Sequence, residues 1–306
     1  MTCVTGRGFL LWFTVLCLLA CRVPAQADDA AKERDMEPET NIETVETDGF
    51  SMDYFRFGRG DQTLVILPGL SVESVMKYAD AVAEAYAPLT EDFTVYVFDR
   101  RKELPAVYTV RDMARDTAEA LRALGLGPVN LFGASQGGMI AMTVAIEDPD
   151  LVSRLILGST AAAVPPERYR EIENWIQLAG TGDAEGLYLA FGEAIYPPAV
   201  FEQSRALLTE SAKGVSEKDL KRFVILAEGI QGFDVEDRLA EIACPVLILG
   251  SRDDRVLGGE ASERIAARLQ GRADTELYMY DGYGHAAYDT APDYKERILH
   301  FLLDKQ

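Results

Sequence analysis

The sequence predicts an α/β protein organised around a parallel sheet, on three observations. Short apolar runs such as Leu64-Val65-Ile66-Leu67, Thr94 to Phe98, Val129 to Phe132 and Val246 to Leu249 lack alternation, as strands buried on both faces do. Helix-compatible segments separate these runs, so strand and helix alternate along the chain. At Gly133-Ala134-Ser135-Gln136-Gly137 an apolar strand passes into a helix through a turn that fits the G-x-S-x-G pattern.

The elements follow in order. Residues 1–27 carry an early cation, Arg7, an apolar run from Phe9 to Ala20 that is short for a bilayer span, and the small-x-small site Ala25-Gln26-Ala27. They read as an export signal cleaved after Ala27. Leu18-Leu19-Ala20-Cys21 is a rival: it resembles a bacterial lipoprotein site with Cys21 as the lipidated residue, although Leu19 fits its position poorly. Residues 28–41 form a charged spacer. Ile42 to Val45 and Met52 to Phe57 alternate about Asp48-Gly49, which predicts an antiparallel hairpin at a sheet edge. Strands are expected at 64–67 and 94–98, then an amphipathic helix from Val110 to Leu124 closed by Gly125. The strand at 129–132 leads through the Ser135 turn into a helix, and a further strand is expected at 151–157. Residues 160–242 contain no strong buried strand and read as four helices, an insertion within the domain that spans 42–306. The strand at 245–250, a helix at 262–269, a strand at 277–280 and a helix at 294–303 complete the chain.

Composition narrows the partners. Fifty acidic against 30 basic residues give a formal net charge of -20, which argues against nucleic acid and anionic lipid. Three of the four cysteines precede residue 28, so cleavage leaves Cys244 alone in the body, with no intrachain disulfide. Beside a buried strand, Cys244 reads as a small apolar filler. Two histidines in the body leave no Cys/His metal site.

In a parallel sheet, reactive groups gather where strands end. Ser135, at a helix N-terminus, is the candidate nucleophile, and the Gln136 N–H can face a developing oxyanion. His285, in the Gly282-Tyr283-Gly284-His285 loop after the last strand, is the candidate base. His300 lies in the apolar terminal helix and reads as packed or capping. Asp253 and Asp254, after the strand that ends at Gly250, both offer an acid to orient the imidazole. Adjacent side chains point in different directions, so one should reach His285 while the other faces solvent or caps the turn. The Leu70 N–H, after Pro68-Gly69, would supply a second oxyanion donor.

These pieces resemble the α/β-hydrolase family from Phe50 to Leu303, and the chain order Ser, Asp, His matches it. The resemblance implies a mostly parallel, roughly eight-stranded sheet with helices on both faces and a helical cap after the sixth strand, here 160–242. It implies a capped, esterase-like serine hydrolase and no cofactor. It favours Asp254, since the family's acid is commonly followed by one variable residue and then an aliphatic one, as in Asp254-Arg255-Val256. Pro68 departs from the His-Gly of many relatives without removing the main-chain donor. Serine in place of aspartate as nucleophile sets the chain apart from haloalkane dehalogenases and epoxide hydrolases. The expected reaction is cleavage of an ester, thioester or related acyl bond of a small molecule through an acyl-enzyme on Ser135. Tyr169, Trp175, Tyr188, Phe191, Tyr196, Phe201 and Phe223 are the cap aromatics available to an acyl pocket, most of them expected to pack the cap itself. A slow-turnover ligand-binding or signalling protein, or an acyltransferase, would suit the same residues.

Overall fold

The computed structural model describes residues 40–303. The expected export signal, Cys21 and nearly all of the spacer lie outside the described residues.

Eight strands form one sheet in the order β1-β2-β4-β3-β5-β6-β7-β8. They are β1 (Ile42–Glu46), β2 (Ser51–Gly58), β3 (Gln62–Leu67), β4 (Phe93–Arg101), β5 (Val129–Ala134), β6 (Val152–Gly158), β7 (Val246–Ser251) and β8 (Thr275–Tyr280). The β1–β2 hairpin is antiparallel at one edge, and every pair from β4 and β3 to β8 is parallel. The missing hydropathy alternation has a direct physical cause. Successive residues of the inner strands enter two different cores: Leu64, Ile66, Phe132, Ile156 and Leu249 pack on one face. Val65, Leu67, Leu131, Leu155 and Ile248 pack on the other. Both faces exclude water, so both sets must be apolar.

Helices cover the two faces. On the first lie α1 (Ala79–Ala85), α9 (Ala287–Thr290) and α10 (Tyr294–Leu303); on the second lie α2 (Val110–Ala123), α3 (Gln136–Glu147) and α8 (Glu260–Arg268). A capping box starts α2, in which the Thr109 hydroxyl accepts from the Asp112 N–H and the Asp112 carboxylate accepts from the Thr109 N–H. Between β6 and β7 stand α4 (Pro166–Gly180), α5 (Ala184–Ile195), α6 (Pro198–Ala212) and α7 (Glu217–Glu228). Pairs α4–α5, α4–α7 and α5–α6 pack together, and their inner residues, Trp175, Leu187, Leu208 and Phe223, join the second core.

Three local readings are corrected. Helix α1 lies between β3 and β4, where no helix is expected from the sequence; at seven residues between two 3₁₀ turns it is too short to display a period. Leu151, expected in a strand, closes a 3₁₀ turn through its N–H to the Asp148 carbonyl, and β6 starts at Val152. His300 is exposed on α10, because Tyr294, Ile298, Phe301 and Leu302 occupy the buried stripe and residue 300 falls opposite.

Candidate active site

The turn between β5 and α3 is built by close approach. A Cβ on Gly133 would lie 2.2 Å from the Gly137 carbonyl oxygen, and one on Gly137 would lie 2.0 Å from the Leu67 carbonyl oxygen. Strand, helix and the neighbouring β3 therefore meet only if these positions lack side chains. Ser135 itself adopts φ 51° and ψ -120°, a region that L-residues avoid, so the surroundings must hold it there. Its N–H donates to the Gly158 carbonyl, while its own carbonyl accepts from the Gly138 and Met139 N–H groups and from the Thr160 hydroxyl at 2.7 Å. The strain places the Ser135 hydroxyl above the sheet's carboxyl end.

Three predicted residues from three loops come together there. Ser135 Oγ lies 2.9 Å from His285 Nε2, and His285 Nδ1 lies 2.8 Å from Asp254 Oδ2. With Nδ1–H donating to the carboxylate, Nε2 presents a lone pair to the serine hydroxyl. His285 and Asp254 are 2 % and 7 % exposed, so little water competes for these bonds. Burial pushes the Asp254 carboxyl up, but His285 and the Leu257 and Val256 N–H groups, at 3.0 and 2.8 Å, together hold it below its ordinary value. Val256 is buried beside the acid, so its N–H is held still against the core.

Asp253 does not simply face solvent. Its Oδ1 accepts from the Ser251 hydroxyl at 2.8 Å and the Gly282 N–H at 3.0 Å, and its Oδ2 accepts from the Gly284 N–H at 3.0 Å. It thus ties the loop carrying Asp254 to the loop carrying His285. The inserted helices hold the same loops: the Ile195 carbonyl accepts from the Ala286 N–H at 3.0 Å, and the Arg255 guanidinium donates to the Glu193 and Tyr196 carbonyls at the end of α5.

On the other side of Ser135 stands the Pro68-Gly69-Leu70 turn; a Cβ on Gly69 would lie 3.1 Å from Ser135 Cβ. Among the described residues, neither the Leu70 nor the Gln136 N–H donates to a protein acceptor. Both are therefore available to a developing oxyanion beside Ser135. A residue with no predicted role in the site fixes this pair. Arg100, 4 % exposed at the end of β4, donates from Nη2 to the Pro68 carbonyl at 2.8 Å and to Gln136 Oε1 at 3.2 Å, and Gln136 Nε2 donates to the Leu226 carbonyl of α7 at 2.6 Å. Burial lowers the Arg100 guanidinium to about 10 against the pull of Asp99, and it remains charged at neutral pH. The available signal was the charged Asp99-Arg100-Arg101 run ending a buried strand where the parallel sheet collects its reactive groups.

Of the aromatics on the inserted helices, Trp175 and Phe191 border the cleft that holds Ser135 and His285, whereas Tyr169, Phe201 and Phe223 are packed in the core. Cys244 is half-buried against that core, and burial raises its thiol to about 11, as suits a filler and not a nucleophile. Among the described residues no group of three or more His, Cys, Asp or Glu side chains is placed to hold a metal ion. No described helix is long and apolar enough to cross a membrane.

A parallel sheet with a strained serine at its carboxyl edge and an imidazole in contact with it defines a hydrolase of the α/β class. Residues 64–294 match the model of the alpha/beta hydrolase family, and the chain belongs to that family. Among curated relatives, the protein named "Putative carbamate hydrolase RutD" from Agrobacterium fabrum is 30% identical over 224 residues, covering 70% of this chain and 85% of its own length. Its namesake from Caulobacter vibrioides is 28% identical over 223 residues, covering 70% and 82%. Among solved structures, MGS-M2, an alpha/beta hydrolase enzyme from a Medee basin deep-sea metagenome library, superimposes with a TM-score of 0.77 at 22% identity, covering 86% of this chain and 98% of that one. The enol-lactonase from Burkholderia xenovorans LB400 gives 0.73 at 19% identity, covering 86% and 100%. At such identities these two structures establish the fold.

Proposed function

We propose that this hydrolase is a serine enzyme that cleaves an ester, thioester or related acyl bond of a small molecule through an acyl-enzyme on Ser135. The observation that carries the reading is the unbroken chain of contacts from Ser135 Oγ through His285 to Asp254. His285 Nε2 takes the hydroxyl proton as Ser135 attacks the carbonyl carbon. The Leu70 and Gln136 N–H groups stabilise the oxyanion, the imidazolium formed is stabilised by Asp254, and its proton goes to the leaving group. Water then attacks the acyl carbon, gives its proton to His285, and releases the acid and Ser135. The name of the relatives from Agrobacterium fabrum and Caulobacter vibrioides adds the carbamate to the acyl bonds worth testing.

A fluorophosphonate probe tests the nucleophile: wild type is labelled, and folded Ser135→Ala is not. Labelling of the folded variant would overturn the assignment. With short p-nitrophenyl esters, repeated turnover is expected; a single stoichiometric burst would indicate a slow receptor instead, and acceleration by added alcohols an acyltransferase. The sequence pattern of residues 1–27 leads us to propose an export signal there and a mature chain that starts at Asp28 outside the cytoplasm. Mass spectrometry of the exported protein tests this, and a diacylated Cys21 at its start would replace it with the lipoprotein form.

A further inference from the structure

Next to the catalytic cleft lies a second, larger space. The cleft, bordered by Ser135 and His285, measures about 20 Å³, and the neighbouring cavity about 130 Å³. The two share Leu70, Phe191, Ile195 and Tyr288, so the cavity opens beside the Leu70 oxyanion donor. Its size approaches the roughly 150 Å³ of an apolar protein cavity that takes up benzene. Ile66, Phe132 and Ala134, near the carboxyl ends of β3 and β5, and Val82 of α1 give it apolar walls.

Part of its lining is polar. The Tyr78 and Tyr188 hydroxyls donate to the same oxygen, Glu73 Oε2, at 2.6 and 2.9 Å, and Lys77 Nζ donates to Oε1 at 2.5 Å. Glu73 and Tyr188 are 5 % and 4 % exposed. The two phenol protons are committed to the carboxylate, so what these residues offer a ligand is lone pairs. A group that brings its own N–H or O–H is matched there; a purely apolar group leaves acceptors facing it.

The orientation of a substrate follows from the placement of the acid-base group. His285 must reach the leaving-group atom to deliver its proton, and His285 borders the cleft and not the cavity. With the carbonyl oxygen held by Leu70 and Gln136, the acyl portion continues past Leu70 into the larger space. We propose that the cavity is an acyl subsite for a compact group about the size of a benzene ring bearing a hydroxyl or N–H donor, recognised by the Glu73, Tyr78 and Tyr188 cluster, with a small leaving group in the cleft. The proposal rests on the acyl-enzyme reading above. Asp289 also lines the cavity, and the variants below leave it in place.

The test compares methyl phenylacetate, methyl 4-hydroxyphenylacetate and methyl decanoate by kcat/KM on the wild-type protein, and measures binding of the two aryl esters to Ser135→Ala by calorimetry. Both aryl esters are expected to exceed the decanoate, and the hydroxyl to add about tenfold, the scale of one good hydrogen bond to a buried acceptor. The ratio between the two aryl esters should collapse towards one in Tyr188→Phe and in Tyr78→Phe, a readout that a general loss of activity leaves unchanged. A decanoate turned over as well as the aryl esters, or a hydroxyl ratio unaltered in both variants, would overturn the subsite. Fluorophosphonate labelling separates the two readings. A labelled wild type without the hydroxyl preference defeats the subsite alone, whereas hydroxyl-dependent binding to Ser135→Ala in a protein that resists labelling supports the subsite and defeats the acyl-enzyme.

Discussion

Replacing Asp254 and Asp253 by asparagine, one at a time, separates two acids that are neighbours in sequence. In Asp254→Asn the retained oxygen can still accept the Val256 and Leu257 N–H groups, at 2.8 and 3.0 Å, so the loop keeps its fold. The new amide then faces His285 Nδ1, where two donors oppose each other. The imidazole relieves this by moving its proton to Nε2, so that Nδ1 accepts from the amide and Nε2 points a hydrogen, in place of a lone pair, at Ser135 Oγ. The base is lost, and kcat should fall by about 10⁴-fold, the scale seen when a triad acid is neutralised. In Asp253→Asn the retained oxygen serves Ser251 and Gly282, and only the bond from Gly284 N–H at 3.0 Å becomes a clash of donors. One bond to a charged acceptor is worth about 1.5–3 kcal/mol, so if the His285 loop carries the whole loss, kcat falls by about tenfold to a hundredfold. The Ala286 N–H to Ile195 bond still restrains that loop, which favours the lower figure. The assay is steady-state turnover of a short p-nitrophenyl ester, with circular dichroism to verify folding. A larger loss in Asp253→Asn than in Asp254→Asn would refute the argument.

Two other outcomes are expected. Arg100→Met removes the donor to the Pro68 carbonyl and Gln136 Oε1, so it should cost about 10²–10³ in kcat, the scale of one oxyanion donor, with a smaller change in KM; Arg100→Lys, which can still serve one of the acceptors, should recover part of it, and equal loss in both would argue that only folding was damaged. Burial raises the Asp289 carboxyl from 3.8 to about 7 despite Lys295. Between these values the folded chain keeps a proton that the unfolded chain has released, so stability falls as pH rises from about 4 to 7 and levels off above, by at most about 4 kcal/mol. Urea unfolding of wild type and Asp289→Asn should therefore diverge in the variant's favour across that window, and a difference independent of pH would sink the assignment.

The sequence alone determined the parallel sheet and singled out Ser135 and His285 as candidates. Those readings depend on local chemistry. Two buried faces demand unbroken apolar runs such as Leu64 to Leu67, a strand-to-helix turn at contact distance demands Gly133 and Gly137, and only two histidines were available. Asp254 was reached with help from the spacing to Val256, which the structure places in the core beside it. What only the tertiary structure decided lies between elements distant in the chain. Arg100 meets Pro68 and Gln136 across 32 and 36 residues, and Asp253 meets Gly284 across 31. The cavity polar cluster joins Glu73 to Tyr188 across 115. A charged side chain after a strand has the same local signature whether it ends in solvent or against a buried carbonyl. Its partner is set by how the sheet order and the inserted helices bring separate loops together, and no local pattern of residues encodes that distance.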